Sequence, residues 1–322
     1  MCGICGQFRF DGGNVSSKSL TSMMSKIARR GPDSNGKWLE GKVGFGHQRL
    51  SIIDLSSHGN QPMVDELLKL TLVFNGTIYN YKSLRSQLIG KGYSFFSHSD
   101  TEVIIKAYHY WGEDCVKYLD GMFAFCVWDK SNEKLFIARD RIGIKPLYYN
   151  LSNKAFTFAS NSQALLTQEL DKSISPLALQ QQLSLHGVVP APNTIISGIR
   201  KVKPATVITI NKKGLLKEKT YWQPSASRSE RNLSDEDYVE KAHELLTAAV
   251  TKRMAATDVP IGVLLSGGLD SSLLVALLKE AGHEDIRTFS IGFEDIDNEA
   301  GSEFEYSDQI VSKFKKIGRA HV

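Results

Sequence analysis

The sequence is poor in the features that mark membrane, secreted and nucleic-acid-binding proteins. Its 322 residues contain no apolar run near the roughly 18 residues that suggest a transmembrane helix. The start, Met1-Cys2-Gly3-Ile4-Cys5-Gly6-Gln7, lacks both the basic and the apolar segment of a secretory signal. A cytoplasmic location and no membrane partner are therefore expected. Cysteine is scarce: Cys2, Cys5, Cys115 and Cys126 do not make a disulfide framework in so long a chain. Cys2 and Cys5 form a CxxC, but no second CxxC and no HxxxH supplies the remaining ligands of a zinc site. A thioredoxin-like motif opens a helix after a strand, whereas this one opens the chain. Excess charge is also lacking. The net charge is +4, with Lys and Arg scattered, so no nucleic-acid partner is expected.

What is present is ordinary globular composition, 42% hydrophobic and 23% charged, over a length that suggests two domains. The first two-thirds hold short apolar strand-like runs: 72–74, 124–128, 134–138 and 156–159. Helical periodicity is seen over 20–28, 81–88 and 101–111, which together predict a layered α+β architecture. The polar stretch 223–234 reads as a linker. Ser234 then reads as a helix N-cap with Asp237 as the capping-box acid. Tyr238, Ala242, Leu245, Leu246, Ala249 and Val250 predict one apolar stripe along that helix. A buried strand is expected over 261–265, a glycine-rich turn over 266–272, a helix over 273–281 closed by Gly282, and a second strand over 288–291. Strand, helix, strand is the opening of a parallel α/β domain.

Two constellations carry chemistry. Removal of Met1 before the small Cys2 would leave one residue with both a thiol and a free α-amine. The amine's reference pKa is about 7.7–8, so a useful fraction is neutral near pH 7 and serves as general base for the thiol. Asn75-Gly76, after the strand at 72–74, can donate a side-chain amide and a backbone N–H to an oxyanion. Arg49 can grip an α-carboxylate through two parallel hydrogen bonds. Asp100 can bind an α-ammonium, or act only as a helix N-cap. One cation for a carboxylate and one anion for an amine describe an amino-acid site, and glutamine fits it.

The second constellation is Ser266-Gly267-Gly268-Leu269-Asp270-Ser271-Ser272, between the expected strand and helix. Backbone N–H groups at a helix N-terminus, opened by glycines and joined by hydroxyls, make a phosphate cradle. The lysine of a GxxxxGK(S/T) loop is missing. A loop with Asp270 in its place suits pyrophosphate and its Mg2+.

The segments MCGICG, RRGPDSNG, FGHQRLSIIDLS, QPM, FNGTIYNY, SDTEVI, DGMFAFCVWD, ARDRIGIKPLYY and FAS, in this order, resemble the class II glutamine amidotransferase domain of asparagine synthetases. SGGLDSS after GVLL resembles the PP-loop of adenylating ligases. The resemblance implies an α+β N-terminal nucleophile hydrolase (αββα sandwich) over 2–222, followed after the linker by the start of an α/β PP-loop domain over 235–316. It implies Cys2 as nucleophile, Asn75 and Gly76 as oxyanion hole, and Arg49 and Asp100 as glutamine ligands. It further implies Ser266, Gly267, Gly268, Asp270 and Ser271 around ATP pyrophosphate, and Leu265 and Ile291 lining an adenine pocket. Thr77 stands where the family usually has Glu, and Asn161 where it has the Glu of FASE. The implied partners are glutamine, ATP and a small carboxylate acceptor; a homodimer is compatible with the resemblance. Aspartate is the family's commonest acceptor, but FFSHSDTEV, VVPAPNTI and EFEYSDQIV are closer to N-acetylglutaminylglutamine amidotransferases.

The chain is expected to stop before the family's second synthetase motif. Residues 317–322, IGRAHV, fit poorly after Phe314, match a translated sequencing adapter, and are expected to be a non-native tail diverging near Lys316. Competing readings are a PP-loop enzyme acting on tRNA, which leaves the N-terminal glutaminase unexplained, and a synthetase that needs no ammonia, which has no use for Cys2. A third is a fragment that hydrolyses glutamine without ligation.

Overall fold

A computed structural model describes residues 1–226, 233–284, 286–292, 304–314 and, for the backbone, 317–321. Residues 227–232 of the expected linker and Lys316 lie outside these. The chain divides into two compact units, Met1–Ser225 and Ala226–Val322.

In chain order the first unit contains β1 (Gly3–Arg9), α1 (Ser17–Ile27), β2 (Ser34–Glu40), β3 (Val43–Arg49), β4 (Met63–Asp65), β5 (Leu70–Ile78), α2 (Tyr81–Gly90), α3 (Asp100–Trp111), β6 (Gly121–Asp129), β7 (Lys134–Arg139), β8 (Tyr148–Leu151), β9 (Ala155–Ala159), α4 (Ser162–Leu165), α5 (Pro176–Ser184), β10 (Arg200–Lys201), β11 (Thr206–Asn211) and β12 (Leu216–Thr220). Two six-stranded sheets form, in the orders β10-β8-β9-β1-β3-β2 and β12-β11-β7-β6-β5-β4. Every pairing in them is antiparallel.

Strand β6 shows why the unit is layered. Successive side chains of a strand point to opposite faces, and here both faces are apolar. Ala124, Cys126 and Trp128 join Ile4, Phe8, Phe45, Phe156 and Phe158 in a core between the sheets. Phe123, Phe125 and Val127 join Leu84, Leu88, Val103 and Ile104 of α2 and α3 in a second core. On the other sheet Cys5 and Ala159 meet Leu20, Met23 and Ile27 of α1 and Leu165 of α4. Helix, sheet, sheet, helix is the αββα sandwich. Cys5, Cys115 and Cys126 are fully buried and free, and burial pushes their thiols well above the usual range. The CxxC is thus one wall residue and one core residue, neither a metal nor a redox pair.

Asn161 caps α4: its Oδ1 accepts from Ala164 N at 2.9 Å while Nδ2 donates to Lys26 O at 2.9 Å, tying α4 to the end of α1. The departure at this position is structural.

The second unit contains α6 (Asp235–Met254), β13 (Gly262–Leu264), α7 (Leu269–Glu280), β14 (Ile286–Ser290), α8 (Phe304–Phe314) and β15 (Ile317–His321). The capping box at Ser234 and Asp237 is present in both directions. Strands β13, β14 and β15 pair in parallel, so residues expected to lie outside the domain continue its sheet. Two expectations are corrected. The strand before the loop is covered on one face only: Val263 and Leu265 are buried with Val250, Val275 and Leu278, whereas Leu264 is 71% exposed. The α6 stripe is likewise mostly exposed. Of its six residues only Val250 is buried, and Tyr238, Leu245 and Leu246 face outward, because α6 joins this core only through its last turns.

Candidate active site

Cys2, Arg49, Asn75, Gly76 and Asp100 line one cavity of about 120 Å³ in the first unit, together with Met1, Leu50, Gln61, Thr77, Met122 and Lys145. Residues spread over a hundred positions meet there because of strand register. Pairing of Gly3 with Gln48 sets Cys2 beside the end of β3 and Arg49. Asn75 and Gly76 lie on β5 opposite Ala124 and Phe123 of β6. Gln61 locks these pieces together: its Oε1 accepts from Phe74 N, its Nε2 donates to Thr101 Oγ1 on α3.

The Cys2 Sγ lies between the backbone groups of Leu50, donating to its O at 3.5 Å and accepting from its N at 3.4 Å. Burial raises the thiol pKa and the Leu50 N–H opposes that, so the resting thiol holds its proton and needs a base. No residue lining the cavity is a histidine. His47, on β3, is fully buried, with its pKa pushed down to about 3 by burial and Nε2 3.2 Å from Phe74 O. It is neutral throughout the working range. In the chain that still carries Met1, burial lowers the pKa of the Met1 amine, with Lys145 and Arg30 adding to the effect and Cys2 and Asp33 opposing it.

Asn75 is the most informative residue. It is fully buried, and neither Nδ2 nor Oδ1 has a hydrogen-bond partner among the described residues. Buried amides are almost always paired, so an unpaired one on a cavity wall marks where a ligand oxygen belongs. Gly76 is required by closeness rather than by backbone angle. A Cβ there would sit 2.2 Å from Met122 O and 2.8 Å from Phe123 Cα.

Asp100 is not the helix N-cap. Ser99 holds that position, accepting from Thr101 N at 3.1 Å. Asp100 Oδ2 instead accepts from Ile78 N at 3.0 Å, and burial pushes its pKa up to about 7. Among the described residues no cation lies in ion-pair contact with it. A buried carboxylate without a counter-charge is a receptor for one. Thr77, at the position of the missing Glu, brings a hydroxyl to the same wall.

Arg49 departs from expectation. Its Nη1 donates to Ser56 O and Asn60 Oδ1, both at 2.8 Å, and its Nη2 to Ile53 O and Asp54 O. The guanidinium braces the 50–60 loop, so the four Nη donors expected to grip a carboxylate are already occupied. Its charge still faces the cavity.

Sequence reasoning missed Arg30 and Lys145. Arg30 Nε donates to Cys2 O at 3.0 Å and orients that carbonyl. Lys145 is 4% exposed with Nζ 3.3 Å from Met1 Sδ. Both sit in quoted segments, RRGPDSNG and ARDRIGIKPLYY, but no local spacing announces that they converge on Cys2.

In the second unit Ser266, Gly267, Gly268, Asp270 and Ser271 form the turn from β13 into α7. The helix begins at Leu269, four residues before the expected Leu273, so Asp270 and Ser271 belong to its first turn. Gly268 caps it without any side-chain bond, which leaves first-turn N–H groups free of a side-chain acceptor. Ser266 Oγ lies 3.2 Å from Ser271 Oγ, and Ser272 Oγ is buried without a partner among the described residues. Gly267 has φ +89, and a Cβ there would meet Tyr306 Cβ at 2.5 Å. These features suit an anion. Asp270 is exposed, and among the described residues no group of three or more acidic, His or Cys side chains forms a metal site. A Mg2+ ion here would have one protein carboxylate and take its other ligands from phosphate and water. The Leu265 side chain is 1% exposed within the core, while Ile291 is 58% exposed.

Residues 1–222 match the family model of the glutamine amidotransferase domain, and residues 241–320 that of asparagine synthase. The chain is 40% identical over 297 residues to asparagine synthetase (glutamine-hydrolyzing) 1 of Bacillus subtilis, covering 91% of this chain and 46% of that protein. It is 36% identical over 318 residues to a putative asparagine synthetase (glutamine-hydrolyzing) 2 of Methanocaldococcus jannaschii, covering 91% of this chain and 60% of that one. The chain thus spans about half the length of these curated relatives. A solved structure of glutamine phosphoribosylpyrophosphate amidotransferase from B. subtilis, complexed with ADP and GMP, superposes with a TM-score of 0.51 at 19% identity, over 92% of this chain and 68% of that chain. That likeness speaks for the fold. No described helix is long and apolar enough to cross a membrane.

Proposed function

The chain belongs to the glutamine amidotransferase domain family, and on that premise we propose that its first unit hydrolyses glutamine at Cys2 to supply ammonia for a ligase. The observation that carries this reading is the unpaired, fully buried Asn75 amide on the cavity that Cys2 also lines.

With Met1 removed, the α-amine of Cys2 takes the Sγ proton and the sulfur adds to the side-chain carbonyl of glutamine. Asn75 Nδ2 and the Gly76 N–H receive the developing oxyanion. The C–N bond breaks as the amine returns its proton to the leaving nitrogen, giving ammonia and a thioester, and water then releases glutamate. Asp100 holds the substrate ammonium. Arg49 presents its charge to the carboxylate while keeping the 50–60 loop in shape.

In the second unit the SGGLDSS turn binds the pyrophosphate of ATP, which activates a carboxylate as its acyl-adenylate for attack by ammonia. Asp270 would hold Mg2+ together with the phosphates, and the ion would supply charge neutralisation there. The acceptor is aspartate or, as the segments at 95–103, 188–195 and 303–311 favour, an N-acetylated glutaminylglutamine dipeptide. The test is glutamate release from glutamine by the processed protein and by Cys2→Ala. Release that survives the substitution sinks the reading.

A further inference from the structure

Lys145 is the charged side chain of the cavity lining that the reaction above leaves unused. Its placement is built rather than incidental. Asp140, 1% exposed, accepts from the N–H groups of Phe123 (3.1 Å), Ile142 (3.3 Å), Ile144 (2.8 Å) and Lys145 (3.0 Å). Arg139 Nε donates to Lys145 O at 2.8 Å, and Gly143 turns the loop with φ +72. The result is a stiff 140–145 turn that delivers one lysine to the wall shared with Met1 and Cys2. Among the described residues no carboxylate oxygen lies within ion-pair distance of Nζ; its polar contact is Met1 Sδ. A buried ammonium facing a thioether is poorly compensated. Loss of Met1 removes even that contact.

We propose that Lys145 is a positioning residue for the Cys2 nucleophile: in the processed protein its buried ammonium is the counter-charge of the thiolate and the cation that keeps protons off the neighbouring α-amine. This rests on the glutaminase reading of the same cavity. Other charges face the pair. Before processing, Arg30, on Cys2 O, acts on the Met1 amine in the same direction as Lys145, and Cys2 and Asp33 oppose them. On the thiol, Asp100 acts to raise its pKa and Arg49 to lower it. Asp140 and Cys2 itself favour the charged form of Lys145, whereas burial and Arg30 disfavour it; Tyr148 bears on Arg30. Lys145 is the member whose Nζ contact with Met1 Sδ is lost when Met1 is removed.

The test compares wild type, Lys145→Met and Lys145→Arg, each confirmed by mass spectrometry to lack Met1. Two profiles are recorded from pH 5.5 to 9.5: kcat/KM for glutamate release, and the rate of alkylation of Cys2 by iodoacetamide, with Cys2→Ala as the blank. The acid limb of both should move up by about one pH unit or more in Lys145→Met, lowering each rate about tenfold at pH 7, and recover at alkaline pH. Lys145→Arg should lie on wild type. Should Lys145→Met not fold, Lys145→Gln carries the same comparison. Superimposed profiles, or a loss equal at every pH, overturn the proposal. Alkylation needs no turnover, so the two ideas fail separately. A shifted alkylation limb in a protein that releases no glutamate leaves Lys145's role standing and removes the glutaminase. Cysteine-dependent release with unmoved limbs does the reverse.

Discussion

Asn75→Ala separates an amide kept for a transition state from one kept for the fold. A buried asparagine that is paired within the protein contributes to stability, and truncating it strands its partners at about 1–3 kcal/mol. Here neither polar atom of Asn75 has a partner among the described residues, so truncation strands none of them and relieves an uncompensated desolvation of the same order. The cavity left behind offsets part of that gain. The melting temperature should therefore hold or rise, by about 2–4 °C for each kcal/mol in a domain of this size. Catalysis should suffer: one oxyanion donor lost costs about 10²–10³ in kcat, or about 2.7–4 kcal/mol. Because the interaction exists only in the transition state, kcat and kcat/KM should fall together while KM stays put. Glutamate release over a range of glutamine concentrations, with melting on the same samples, measures all three. A variant that melts far lower, or keeps kcat within threefold, refutes the reasoning.

Four further outcomes follow from the same geometry. Asp100, raised from 3.8 to about 7, is neutral in the empty site below pH 7, so KM for glutamine should climb as pH falls through 7, and Asp100→Asn should raise KM and flatten that rise. By linkage, a carboxyl raised in the folded state stabilises fully below its unfolded pKa, and that contribution is lost as pH rises through about 7; urea melts of wild type and Asp100→Asn at pH 5 and pH 8 check the sign, and the variant should show the smaller pH change. Gly76→Ala forces a Cβ to 2.2 Å from Met122 O, so soluble yield and melting temperature should collapse; a well-folded variant would show that the β5–β6 approach is looser than described. Gly267→Ala should abolish the ATP-induced rise in melting temperature and leave glutamate release unchanged.

The layered α+β architecture was legible in the apolar runs and helical periodicities, the αββα order only through the family resemblance, and the candidate site residues because Cys2, Asn75-Gly76 and SGGLDSS are local patterns. Three kinds of information were not local. The apolar stripe of α6 was visible, but a periodic pattern reports which face is greasy and not what covers it. The convergence of Arg30 and Lys145 on Cys2 depends on sheet register and on the carboxylate of Asp140, which no spacing rule encodes. The spent donors of Arg49 depend on how the 50–60 loop folds back over it. Sequence left Asp100 as either an ammonium ligand or the helix N-cap, and only the structure, with Ser99 at the N-cap, removes the second alternative.

The most direct measurement compares glutamate release by two forms of the same chain, one processed to Cys2 and one bearing a short extension that blocks Met1 removal, each verified by intact mass. The processed form should hydrolyse glutamine, and the extended form should be slower by at least about 10², the lower range of a lost general base. Equal rates from both would show that the base is not the amine of Cys2.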